Sequence, residues 1–261
     1  MEIKMKKIAL ITGASSGLGL EFAKIYAKNG YNLVIVARSE GKLYQLKAEL
    51  ENAYNIEVIV FAKDLSERDA GHEVFDYCLE NNIEVDVLVN NAGFGDFANF
   101  IESDWERQYD MVQVNIVALM QLTRCFAPQM VKRESGKILN LSSIAAFCAG
   151  PKMSVYYASK EYVRSFSEAL SEELKGTGVT VTALCPGPTS TGFEQAAEMK
   201  NSKMFTFFKP ATAKEVAEAG FIACEKGKTL KYYGMPTKLM NIGARLAPRS
   251  VGRKFAMKIN G

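Results

Sequence analysis

The chain has 261 residues, 48% hydrophobic and 23% charged, with 20 glycines and 7 prolines. That length supplies a substantial core in one large domain or two small ones. The composition excludes a disordered chain, a collagen-like repeat and a disulfide scaffold. Five cysteines (Cys78, Cys125, Cys148, Cys185 and Cys224) lie far apart with no CxxC pair, which fits a reducing cytoplasm and offers no zinc-ligand spacing. His72 is the single histidine and stands in a charged stretch with no nucleophile motif beside it, which argues against Ser–His or Cys–His hydrolysis. The net charge of +3 conceals an asymmetry, because all nine charged residues after Glu225 are basic.

The opening MEIKMKKIALITG has a short apolar run that leads into a glycine loop without a small-residue cleavage site, so it is not expected to be a secretory signal. A first strand is predicted at Lys7–Thr12 and a first helix at Gly17–Lys28. Strand Leu33–Ala37, helix Glu40–Glu51, strand Val58–Phe61 and helix Arg68–Glu80 follow. Then come strand Val85–Asn90, a long helix Asp104–Met130, strand Lys137–Leu141, helix Tyr156–Lys175 and strand Val179–Leu184. Most of these strands lack polar alternation, as expected where both faces are covered. The alternation has no Pro/Gly/Ser-rich linker, which predicts one α/β domain over residues 1–261. Its architecture is a doubly wound, mostly parallel sheet of about seven strands with helices on both faces. No apolar run approaches the roughly 18 residues needed to cross a bilayer.

Between the first strand and first helix stands Thr12-Gly13-Ala14-Ser15-Ser16-Gly17-Leu18-Gly19. Gly13 can make a tight turn, Gly17 lets a diphosphate approach the backbone, and Gly19 permits close helix–strand packing. The free N–H groups and positive dipole end of the helix suit an anion. The spacing is GxxxGxG rather than GxGxxG, and a glycine-rich packing turn is the alternative. At the end of the second strand Ala37 is followed by Arg38, with no carboxylate to repel a 2′-phosphate. A guanidinium there suits NADP(H) rather than NAD(H); a solvated arginine is the alternative. Tyr156 and Lys160, four residues apart on a predicted helix, share one face. The ammonium is expected to lower the phenol pKa toward working pH, which is chemistry for protonating a carbonyl oxygen.

These features occur in order with NNAG (Asn90–Gly93), Asn115 in VNIV, LSS (Leu141–Ser143), YYASK (Tyr156–Lys160) and PG (Pro186–Gly187). The whole series resembles the compact, single-domain short-chain dehydrogenase/reductase family over about residues 5–230. The resemblance implies a Rossmann-type fold and hydride transfer between a nicotinamide and a carbonyl carbon or secondary alcohol, with no metal. It implies that Tyr156 is the acid/base and that Ser143, with Ser142 as the alternative, binds the substrate oxygen. Lys160 would hold the cofactor ribose and tune the tyrosine, Asn115 would help hold a proton-relay water or else mark a kink inside its helix, and Tyr157 would pack. Beyond Gly13, Ser15, Ser16, Gly17, Leu18, Gly19 and Arg38, cofactor contacts are implied at Asp64, Leu65, Asn91, Ala92, Gly93, Pro186, Gly187, Thr189 and Thr191, and at Tyr156 and Lys160 themselves.

Residues 190–210 would form the substrate lid. Phe193, Met199, Met204, Phe205, Phe207 and Phe208 there suggest an apolar or bulky ketone, unless they seal a helix or a subunit interface. A 3-oxoacyl-thioester reductase is the alternative substrate reading, and a non-catalytic NADP-binding sensor the alternative function class. Residues 235–261 form a basic extension. Leu239, Ile242 and Leu246 share one helical stripe, Lys238 and Arg245 lie beside it, and Pro248 ends the helix. Such a helix either meets an anionic membrane surface or an acidic partner such as an acyl carrier, or is solvated or oligomer-facing. Aromatic and basic residues do not interleave in a nucleic-acid-binding pattern. The expected partners are a small carbonyl substrate and further copies in a homodimer or homotetramer.

Overall fold

Apolar runs that can bury both faces pair side by side into a parallel sheet. A computed structural model describes residues 6–193 and 210–260. Strands β1 (Ile8–Thr12), β2 (Asn32–Ala37), β3 (Val58–Ala62), β4 (Val87–Asn90), β5 (Gly136–Leu141) and β6 (Val179–Pro186) fall close to the expected positions. A short pair, β7 (Thr189–Ser190) and β8 (Ala211–Thr212), lies apart, and β9 (Leu230–Tyr233) completes a seven-stranded parallel sheet of order β3-β2-β1-β4-β5-β6-β9. Helices are α1 (Gly17–Lys28), α2 (Glu40–Ala53), α3 (Ala70–Glu80), α4 (Trp105–Val112), α5 (Leu119–Lys132), α6 (Ser154–Glu173), α7 (Ala213–Glu225), α8 (Met235–Leu246) and α9 (Arg249–Asn260).

Side chains that alternate along the strands feed two cores. Ala9, Ile11, Leu33 and Ile35 pack with Phe22 and Tyr26 of α1, Leu43 and Leu46 of α2, and Val216 of α7. Leu10, Val34 and Val36 pack on the opposite face with Val74 of α3 and Leu122 and Phe126 of α5. Neighbouring β1 leads outward to β2 on one side and to β4 on the other. The order reverses there, opening a crevice beyond the strands' carboxyl ends where α/β sheets bind ligands.

Three elements differ from expectation. The long helix divides into α4, a π-helical turn over Gln113–Ala118, and α5; such turns are concentrated at functional sites. Helix α7 begins at a capping box in which Thr212 accepts from the Glu215 N–H and the Glu215 carboxylate accepts from the Thr212 N–H. That Thr-x-x-Glu signal is visible in the sequence. The C-terminal region adds a second helix to the one expected before Pro248. Pro248 separates α8 from α9, whose end is buried: Asn260 Nδ2 donates to the Pro151 carbonyl at 2.9 Å, and the Tyr157 hydroxyl reaches Asn260 Oδ1 at 3.4 Å. Tyr157 packs as expected. Met199, Met204, Phe205, Phe207 and Phe208 of the expected lid lie outside the described residues. Among the described residues no helix is long and apolar enough to cross a membrane.

Candidate active site

The carboxyl ends of the central strands border one cleft of about 800 Å³. Its floor is tied together by Thr12. The Thr12 hydroxyl accepts from the Asn91 and Ala92 N–H groups at 3.0 Å each, and Asn91 Nδ2 donates to the Thr12 carbonyl at 2.8 Å. Gly13 turns the loop by donating its N–H to the Val36 carbonyl at 2.8 Å. A Cβ on Gly19 would overlap the Gly13 carbonyl and approach Asn91 Nδ2 to 2.6 Å. The glycine therefore lets α1 start directly against the loop. Ser16 precedes the helix without capping it, and the first turn has no acidic residue, so N–H groups and dipole remain available to a diphosphate. Gly13, Ser15, Ser16, Gly17 and Leu18 all line the cleft. Substitution Gly19→Val is expected to lower stability by about 1–3 kcal/mol through overpacking. It is also expected to abolish tight cofactor binding; thermal melts with and without NADPH check both effects.

Arg38 extends from the end of β2 with its side chain 74% exposed, its guanidinium 3.7 Å from Asp64 Oδ2. The other Asp64 oxygen accepts from the Ser66 N–H and hydroxyl at 2.9 and 2.8 Å. Leu65 is buried beside this turn and lines the cleft. Ser39 and Lys42 also line this end. Sequence reading missed Lys42, although its place four residues after Arg38 in the first turn of α2 was a usable signal. Lys63 is close by, but Glu67 and Glu73 hold its ammonium at 2.5 and 2.6 Å, and those bonds raise its pKa.

Of the four expected catalytic positions, Ser143, Tyr156 and Lys160 line the cleft beyond the end of β5, and Asn115 lies behind them against Gly93. Lys160, only 5% exposed, donates from Nζ to the Leu141 carbonyl at 2.9 Å. A Cβ on Gly93 would stand 2.9 Å from Asn115 Oδ1 and 3.2 Å from Lys160 Nζ, so both side chains rest against that glycine. Asn115, in the π-helical turn, accepts from the Phe94 N–H and donates to the Phe94 carbonyl and Ser159 Oγ, each at 3.0 Å. Both amide hydrogens are thereby used to hold the Phe94 loop against α6. Ser142 is committed to the Lys160 carbonyl at 2.8 Å. Ser143, by contrast, hydrogen-bonds the Tyr156 phenol, which separates the two candidate serines.

The electrostatics correct one expectation. Burial pushes the Tyr156 phenol up to about 12, with the Ser143 hydrogen bond pulling only partly the other way. The Lys160 ammonium lies 5.8 Å from the Tyr156 ring centroid and is not among the groups that shift the phenol. Burial lowers Lys160 itself to about 8. A neutral phenol at neutral pH is a proton donor, not a preformed phenolate.

The remaining cofactor candidates close the ring. Pro186 ends β6, the Gly187 N–H donates to the Tyr233 carbonyl at 3.3 Å, and the Thr189 hydroxyl donates to the Gly187 carbonyl at 2.9 Å. Thr191 touches Gly17, where a Cβ would stand 3.1 Å from the threonine Cβ. Phe193 packs on the Tyr156 ring at 5.2 Å between centroids. With Phe94, Ile144, Met153 and Tyr157 it makes the catalytic end apolar. Arg107, also unforeseen, lies over Phe94 and is held by the buried Asp96 at 2.6 Å. Among the described residues no group of three or more His, Cys, Asp or Glu side chains could hold a metal.

Residues 7–202 match the short chain dehydrogenase family. The very-long-chain 3-oxoacyl-CoA reductase of Anas platyrhynchos is 34% identical over 206 residues, covering 77% of this chain and 64% of that protein. The chain thus spans less than two thirds of that relative's length. A short-chain dehydrogenase from Sphingobium yanoikuyae in complex with NADPH has the same fold, with a TM-score of 0.82 at 27% identity over 97% of this chain and 95% of the other. The bulky-bulky ketone specific alcohol dehydrogenase from Comamonas testosteroni gives 0.78 at 26% identity over 92% of each chain. Sheet order, glycine loop and family match together show that the chain belongs to the short-chain dehydrogenase/reductase family of NAD(P)-dependent oxidoreductases.

Proposed function

We propose that the protein is an NADP(H)-dependent reductase of bulky, apolar carbonyl compounds. The observation that carries this reading is the placement of Tyr156, Ser143 and Lys160 at the apolar end of a cleft whose other end has a glycine loop and Arg38. When bound, the nicotinamide supplies the hydride. Ser143 and Tyr156 hydrogen-bond the carbonyl oxygen and stabilise its developing negative charge, and Tyr156 gives up the phenolic proton, so that the ketone becomes a secondary alcohol. Lys160 presents a buried positive charge to the ribose hydroxyls and the tyrosine. Asn115 acts as a positioning residue that fixes Gly93 and Phe94 against α6.

The preference for NADP(H) rests on Arg38 and Lys42, two cations at the end of β2 with no competing carboxylate directly after the strand. Arg38→Asp is expected to raise the KM for NADPH about 10- to 100-fold, the worth of one charge-assisted hydrogen bond, and to leave that for NADH nearly unchanged. Parallel titrations at 340 nm decide it, and an unchanged NADPH preference would refute the assignment. A 3-oxoacyl thioester is the second substrate reading, supported by the activity named for the Anas platyrhynchos relative. The exposed Phe100, Ile101 and Trp105 before and at the start of α4 support a homo-oligomer.

A further inference from the structure

The stripe foreseen on the C-terminal helix faces solvent. Met235, Leu239, Ile242 and Leu246 of α8 are 64, 61, 53 and 82% exposed. At 100° per residue they fall within an arc of about 60°. The helix instead turns Thr237 inward: its hydroxyl donates to the Tyr233 carbonyl at 2.9 Å, and its oxygen would stand 3.2 Å from a Cβ on Gly187. Helix α8 is therefore seated by a polar contact beside the Pro186–Gly187 turn, and its apolar stripe is exposed among the described residues. Val251 and Phe255 of α9 add further exposed apolar surface.

The charged residues of the two helices themselves have one sign. Lys238, Arg249, Arg253, Lys254 and Lys258 are exposed, and no acidic residue follows Glu225 anywhere in the chain. A second copy docking through the same face would bring like charges together, which disfavours self-association there. An occupant that is apolar within and anionic at its surface satisfies both features. We propose that α8 and α9 dock the protein on an anionic lipid bilayer, with α8 lying in the interface plane and its flanking basic residues at the headgroups. Because α8 adjoins the Pro186–Gly187 turn, docking brings the active-site cleft to the membrane surface.

The test is co-sedimentation of the full chain with phosphatidylcholine vesicles, with and without phosphatidylglycerol, at low and high salt. Binding to the anionic vesicles is expected to exceed that to the neutral ones at least about tenfold at low salt, and to weaken as salt screens the charges. Leu239→Ser/Ile242→Ser/Leu246→Ser and Lys238→Glu/Arg249→Glu/Lys254→Glu are each expected to lower anionic binding at least about tenfold. Their melting temperatures and their rates without vesicles should not change. If the serine variant misfolds, the charge variant alone decides. Equal recovery with both vesicle types, or unchanged binding in a folded variant, overturns the proposal. Absent vesicle binding with a reduced light-scattering mass for the serine variant also overturns it, making the face a contact between copies.

Discussion

Replacing Tyr156 with Phe is expected to lower kcat for carbonyl reduction on the order of 10²–10⁴-fold, the usual worth of a positioned general acid, with little change in NADPH affinity. The substitution removes one oxygen and retains the ring, so packing against Phe193 persists while Ser143 loses its phenolic partner. The ring is retained and lies apart from the glycine loop and Arg38, which are expected to supply most of the cofactor affinity. Steady-state oxidation of NADPH gives the rate, and quenching of protein fluorescence on titration gives the affinity. Retained turnover in Tyr156→Phe would mean that another group delivers the proton.

The second large effect is a pH dependence. Reduction needs a protonated Tyr156 and a charged Lys160. Burial raises the phenol to about 12, so it stays protonated through neutral and moderately alkaline pH. Burial lowers the ammonium to about 8, so its charge is present below that pH and lost above it. The rate of reduction should therefore be level below about pH 8 and fall roughly tenfold per unit above it, as for one essential acid. Lys160→Met removes the charge at every pH and should lower the rate on the order of 10²-fold or more. Lys160→Arg keeps a charge that does not titrate in this range, so its remaining activity should lack the alkaline fall. A fall that persists unchanged in Lys160→Arg would assign it to a different group.

Much of the sheet was legible because β1 to β6 are buried on both faces, and such strands are continuous apolar runs bounded by polar or glycine residues. The glycine loop was legible for a related reason, since backbone contact between Gly19 and Gly13 leaves no room for a side chain. Strand β9 escaped because Leu230–Tyr233 is a half-buried sheet edge with no apolar alternation. At Asn115 the resemblance offered a kink inside the long helix, but the π-helical form of the break has no side-chain signature. The anchor of α9 is a contact between Asn260 and Pro151, residues far apart in sequence. The tyrosine–lysine spacing was read correctly but its electrostatic sign was not, because spacing carries no information on burial and burial dominates here.

The central claim is that hydride passes from NADPH to a bulky carbonyl compound held by Ser143 and Tyr156. The direct measurement incubates the protein with NADPH deuterated at the nicotinamide C4, using bulky ketones and long-chain 3-oxoacyl thioesters as acceptors, and analyses the products by mass spectrometry. Deuterium at the carbinol carbon, one per NADPH consumed and absent with Tyr156→Phe, is the expected result. Cofactor that binds tightly yet transfers no deuterium to any acceptor would contradict the account.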